Sequence, residues 1–143
     1  MLDEEAPPLW RLVLAVVLGL LAGLTLEMLS LALVAVVRHL AGDVSSALAT
    51  VLLDAASAGA WLVAGGVGYE AGRSRVATIA VASLPPLAGL ALALGLVVGE
   101  RHGYGGRLVG ALAFGFVLGA CAYVGGRLWE RHIRRAGAVQ SYG

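Results

Sequence analysis

The sequence predicts an all-α, polytopic membrane protein folded as a four-helix transmembrane bundle, and three observations carry that class. Hydrophobic residues make up 59% of the 143 positions and charged residues 13%, whereas soluble domains are roughly half apolar and a quarter charged. Mean hydropathy is +0.88. Four apolar stretches also stand between short segments that mix Gly with charge, and each is long enough for the roughly 20 residues a spanning helix needs at about 1.5 Å per residue.

The first stretch, 9–39, follows the acidic tail "MLDEEAPP". Pro7 and Pro8 suit the start of a helix, where a missing amide hydrogen costs nothing. The tail lacks the basic start of a signal peptide and is read as retained. Gly19, Gly23 and Glu27 recur at one-turn spacing, which puts them on one stripe. Small residues in such a stripe let helix backbones approach closely, so this stripe should be a helix contact and Glu27 should face protein. Ser30, one turn further, is offered as its hydrogen-bond partner.

The second stretch, 44–69, follows "RHLAGDVSS" and holds Asp54 in a stripe with Thr50, Ser57, Ala58, Trp61 and Gly65. Glu27 lies eleven residues before Arg38 and Asp54 eleven after Asp43, which predicts matching depth, roughly 16 Å in, on adjacent antiparallel helices. No basic residue sits at that depth in the later stretches. Two close carboxylates do not both ionise in low dielectric. Three outcomes follow: the acids stay protonated and bond to Ser30, Thr50, Ser57 or each other; they hold a cation; or another subunit supplies a base.

The third stretch, 76–99, follows "EAGRSR" and carries Pro85 and Pro86 near its middle. The pair removes two amide donors and predicts a kink, either a bend that fits the helix to its neighbours or a break that lines a path. The fourth, 108–129, follows "ERHGYGGR". Gly106 and Gly110, then Gly115 and Gly119, are spaced for close packing, and Phe114 and Phe116 read as packing groups. The basic segment "WERHIRRAGAVQSYG" after it reads as a tail, solvated or lying along anionic headgroups.

Short connections and four spans predict one transmembrane domain over 1–143 with both termini on one side. Arg11, Arg73, Arg75, Arg127, Arg131, Arg134 and Arg135 fall on that side, with Arg38, Arg101 and Arg107 opposite. The positive-inside rule makes the richer side cytoplasmic in a cell (inner or plasma) membrane, and Trp10, Tyr69, Tyr123 and Trp129 supply an aromatic belt. "GGVGYEAGRSR" at 65–75 also lines up with "GGRLWERHIRR" at 125–135, and "LAGL" occurs at 21–24 and 87–90. Either the chain is two similar hairpins about an axis along the membrane normal, or the bilayer selected similar helix ends twice.

Function classes narrow accordingly. Ten dispersed arginines and a net charge of +1 give no nucleic-acid-binding face. A single cysteine, Cys121, excludes an internal disulfide. "GGVGYEAG" lacks the Lys and Ser/Thr of a phosphate loop. His39, His102 and His132 each follow an Arg at a boundary and read as interface anchors. No catalytic arrangement, metal site or cofactor is predicted. In composition the chain resembles small Gly-rich prokaryotic four-helix membrane proteins, a likeness that assigns no site residue. Two functions are expected from different classes: a non-catalytic subunit or self-associating scaffold of a membrane complex, or a small proton- or cation-coupled transporter using Glu27 and Asp54 beside the Pro85–Pro86 kink. The expected partners are the bilayer, further copies and other membrane subunits.

Overall fold

A computed structural model describes residues 8–41, 46–98 and 105–140, and among them the only regular elements are four helices: α1 Leu9–Ala41, α2 Ser46–Gly72, α3 Arg75–Val98 and α4 Gly105–Gln140. Asp43, Arg101 and His102 lie outside the described residues. All four helices are long and apolar enough to span a membrane. Large apolar side chains are exposed along every one, among them Met28, Val51, Ile79 and Phe116, whereas the buried core is mostly alanine.

The boundaries differ from expectation chiefly at α4, where the basic segment stays helical to Gln140. Its sequence explains this: Arg127, Glu130 and Arg134 are spaced i, i+3 and i+4 and pair along the helix. At 36 residues α4 is about 54 Å long and α1 at 33 residues about 50 Å, so both exceed a hydrocarbon core of about 30 Å.

Only Arg73 and Ser74 separate α2 from α3. Arg73 takes a left-handed conformation, φ 47°, and its amide donates to the Tyr69 carbonyl at 2.6 Å. Such a residue closes a helix C-terminus. Ser74 Oγ then accepts the Ala77 amide at 3.1 Å, the N-cap bond that starts α3. We call this end of the molecule the turn end; it also holds the start of α1 and the last turns of α4.

Glycine and alanine set the packing. Gly19 of α1 and Gly68 of α2 both face Val81 of α3, which is fully buried between them. The α1–α2 pair is antiparallel, with Gly23 against Ala64 and Ala15 against Gly72. The α3–α4 pair is likewise antiparallel, with Gly126 against Thr78, Gly119 against Ala82, and Gly89 against Ala111. Helix α3 runs unbroken through Pro85 and Pro86. The prolines free the carbonyls of Val81 and Ala82 from their helix bonds, and Gly119 covers the second: a Cβ there would lie 2.5 Å from the Ala82 oxygen.

Helix α2 packs mainly on α1 and α4, less on α3, and among the described residues α1 and α4 do not touch. Helices α2 and α4 run parallel, because Leu62 meets Gly125 while Gly66 and Glu70, further along α2, both meet Trp129, further along α4; Gly65 meets Ala122 at the crossing. The crossing is reciprocal. A Cβ on Gly65 would overlap the Ala122 carbonyl, and one on Gly125 would overlap the Leu62 carbonyl. The two pairs lie at offsets of 57 and 63 residues, and the 60-residue offset that aligns 65–75 with 125–135 turns each pair into the other. The "LAGL" pair has no such equivalence: Gly23 meets Ala64 and Trp61, whereas Gly89 meets Ala111, ten or more positions from the matching residues of α4.

Candidate functional site

Glu27 points into the bundle, as its glycine stripe predicts, and the group that receives it is an indole. Trp61 Nε1 donates to Glu27 Oε1 at 2.8 Å, and Trp61 is buried in the core with Ala64, Val81, Leu118 and Ala122. Ser30 does not serve the acid. Its hydroxyl donates to its own helix at the Leu26 carbonyl, 2.8 Å, and it lines a separate groove with Arg38 and Ala49.

Glu27 and Trp61 open on a cavity of about 310 Å³ between all four helices, which Pro85, Gly89, Phe114 and Gly115 help to line. Two features singled out in the sequence, Glu27 and the proline pair, therefore meet at one place. Pro86 instead packs on Gly119. Among the described residues Glu27 is the one charged residue in the cavity wall.

Asp54 stands apart and is exposed. It forms no hydrogen bond or ion pair within the described residues. Glu27 opposite Trp61 and Gly23 opposite Ala64 fix an antiparallel register that leaves Asp54 six or seven residues, about 10 Å, further from the turn end than Glu27. The depth match counted from Arg38 and Asp43 is corrected accordingly. That count assumed the two charges flank the crossing symmetrically, and helix contacts rather than charges set the register. Thr50 is exposed one turn before Asp54, and Ser57 is half-buried.

The packing glycines divide. Gly19, Gly23, Gly65, Gly115 and Gly119 are buried at helix crossings, whereas Gly110 is exposed with open space around it and makes no crossing among the described residues. Thr78 is 1% exposed, and its Oγ1, against Gly126, finds no hydrogen-bond partner among the described residues.

The densest polar cluster lies at the turn end. Glu130 of α4, 3% exposed, accepts from Arg75 Nε at 3.2 Å, Arg127 Nη1 at 2.6 Å and Arg134 Nη2 at 2.7 Å. One buried carboxylate thus ties the start of α3 to α4. Glu70, its counterpart 60 residues earlier, is exposed and accepts from Arg73 Nη2 at 3.0 Å and Trp129 Nε1 at 2.9 Å. The i+3 and i+4 spacings around Glu130 were available in the sequence; the Arg75 contact and both Trp–Glu bonds depend on helix register and were not. Set against known proteins, the chain matches no family model, no curated protein and no solved structure.

Proposed function

We propose that the protein is a multi-pass membrane protein with an assembly role, a non-catalytic subunit or self-associating scaffold that associates through the outer half of α2. The observation that supports this is Asp54, an exposed carboxylate among the exposed apolar neighbours Val51, Leu52 and Ala55. It lies eight residues from the start of α2, about 12 Å along the axis, which is inside a 30 Å core when the helix is centred. A charged residue facing hydrocarbon is costly, about 2.5–3.5 kcal/mol at a helix centre and less near its ends. A neighbouring subunit that offers a donor or a base to Asp54 offsets that cost, and the small residues of the chain suit close helix contact. The inside-out burial, with alanine in the core and leucine outside, supports the membrane reading itself. Clustering of arginine at the turn end supports a cytoplasmic turn end and cytoplasmic termini.

The test is the oligomeric state in lipid nanodiscs. Wild type should contain two or more copies per assembly, and Asp54→Leu should shift it toward the monomer without loss of helicity. A monomeric wild type would overturn self-association, and a variant that assembles unchanged would overturn the part given to Asp54.

The cavity where Glu27, Trp61 and Pro85 meet favours a second reading, a small proton- or cation-coupled transporter or channel. The separation of the acids gives Glu27 the central part in it. In proteoliposomes, pH-driven flux that Glu27→Gln abolishes and Asp54→Asn spares would establish this reading, and absence of flux in wild type would remove it.

A further inference from the structure

Because α1 and α4 do not touch, a groove of about 620 Å³ runs between them along α2. Its walls are apolar, with Leu18 from α1, Leu62 and Val63 from α2, and Leu128 from α4. Toward the turn end it closes on Trp129, His132 and Glu70. Glu70 is already engaged by Arg73 and Trp129. From Val63 to Glu70 is seven residues, so the groove extends roughly 10 Å along the helix axis.

The faces that form the groove continue past it into arginine. On α4 the stripe of Gly125, Leu128 and His132 reaches Arg135 one turn later, and on α1 Arg11 lies two turns before Leu18 on the same face. Both arginines are exposed. Among the described residues neither pairs with a carboxylate, although Arg73, Arg75, Arg127 and Arg134 all do. Arg11 lies over the Trp10 ring at 5.2 Å.

We propose that this groove binds one acyl chain of an anionic phospholipid, with the phosphate held between Arg11 and Arg135. An apolar slot that ends in cations without acidic partners among the described residues complements a molecule with an apolar tail and an anionic head. Trp129 at the junction suits the boundary between headgroup and hydrocarbon. A second copy of the chain is a poorer occupant, since it would bring its own Arg11 and Arg135 to the same rim. The inference rests on the membrane reading and is independent of the assembly role.

Flotation with phosphatidylcholine liposomes first scores insertion; a chain that does not insert overturns the membrane reading itself. Native mass spectrometry of the inserted, detergent-extracted protein then compares retention of phosphatidylglycerol and phosphatidylcholine. Wild type should hold one phosphatidylglycerol per chain with a preference of about tenfold or more, the scale two cations supply. Arg11→Gln with Arg135→Gln should bring the two lipids near parity, Arg134→Gln, whose partner Glu130 is outside the groove, should leave the preference intact, and Val63→Trp should weaken both lipids by filling the slot. Parity in wild type, or equal loss in Arg134→Gln, overturns the site in favour of diffuse attraction. Val63→Trp that keeps both lipids but separates a dimer assigns the groove to a second copy and overturns it equally.

Discussion

Glu130 concentrates more charge than any other described position. Its carboxylate is buried while its three arginine partners keep between a third and two thirds of their side chains exposed. The arrangement is asymmetric. Removing one arginine leaves two and costs little, because partly exposed pairs are screened. Removing the acid leaves three guanidiniums crowded around a site with no anion. Glu130→Gln should therefore lower stability by about 1–3 kcal/mol, and Arg134→Gln by less than about 1 kcal/mol, as read by denaturation in mild detergent. Thr78 is the opposite case, a buried hydroxyl with no hydrogen-bond partner among the described residues. Thr78→Val keeps the shape and removes the unmet polar group, so it should leave stability unchanged or raise it by about 1 kcal/mol in the same assay. At this scale the sequence was informative where groups share a helix: Gly19, Gly23 and Glu27 form the contact their spacing predicts. It was uninformative across helices. Nothing in the chain shows that Trp61 rather than Asp54 meets Glu27, because a shift of two turns along a smooth Ala/Gly contact leaves the hydropathy pattern almost unchanged.

Helices cross here by exclusion of side chains. At Gly65 and Gly125 any Cβ enters the backbone of the facing helix, whereas Gly59 and Gly110 look onto open space. Gly65→Ala and Gly125→Ala should each cost about 2–3 kcal/mol, as overpacking does. Gly59→Ala and Gly110→Ala should be neutral or gain up to about 1 kcal/mol of helix propensity. Both clashes act at one crossing, so the double variant Gly65→Ala/Gly125→Ala should cost less than the sum of the two, a coupling that a double-mutant cycle measures. The four spans and their order were legible because hydropathy and Gly-with-charge breaks are local signals. The continuation of α4 was missed because the end of a hydrophobic run need not end a helix. At Pro85 and Pro86 the helix persists, and Gly115 and Gly119 lie against the stretch, within reach of the carbonyls of Pro85 and Ala82.

Across the whole molecule the chain is arranged α1, α2, α4, α3, with α3 also reaching α1 and α2 behind Val81. The order follows from which glycine stripes face which: consecutive helices do touch, as short connections imply, but the extensive α2–α4 contact joins helices that are not consecutive. Half of the internal repeat has a spatial counterpart: the 60-residue offset exchanges the two halves of the α2–α4 crossing, while the "LAGL" match has no structural counterpart. The arrangement places the α2–α3 turn, the start of α1 and the end of α4 together, and arginine clusters there. In a Cys121→Ala background, Ser74→Cys should react with an impermeant maleimide only from the cytoplasmic face. Labelling from the opposite face would invert the topology.

The reciprocal crossing of α2 and α4 has a further consequence. Leu62 and Gly65 present to α4 the same backbone geometry that Ala122 and Gly125 present to α2. A contact of this kind is self-complementary, like that of an isologous dimer, and it carries no information about which chain supplies each half. Between the α1–α2 hairpin and the α3–α4 hairpin only the two residues Arg73 and Ser74 intervene. The identity of the bundle as one chain or as two chains exchanging hairpins thus resides in that hinge rather than in the interface it serves.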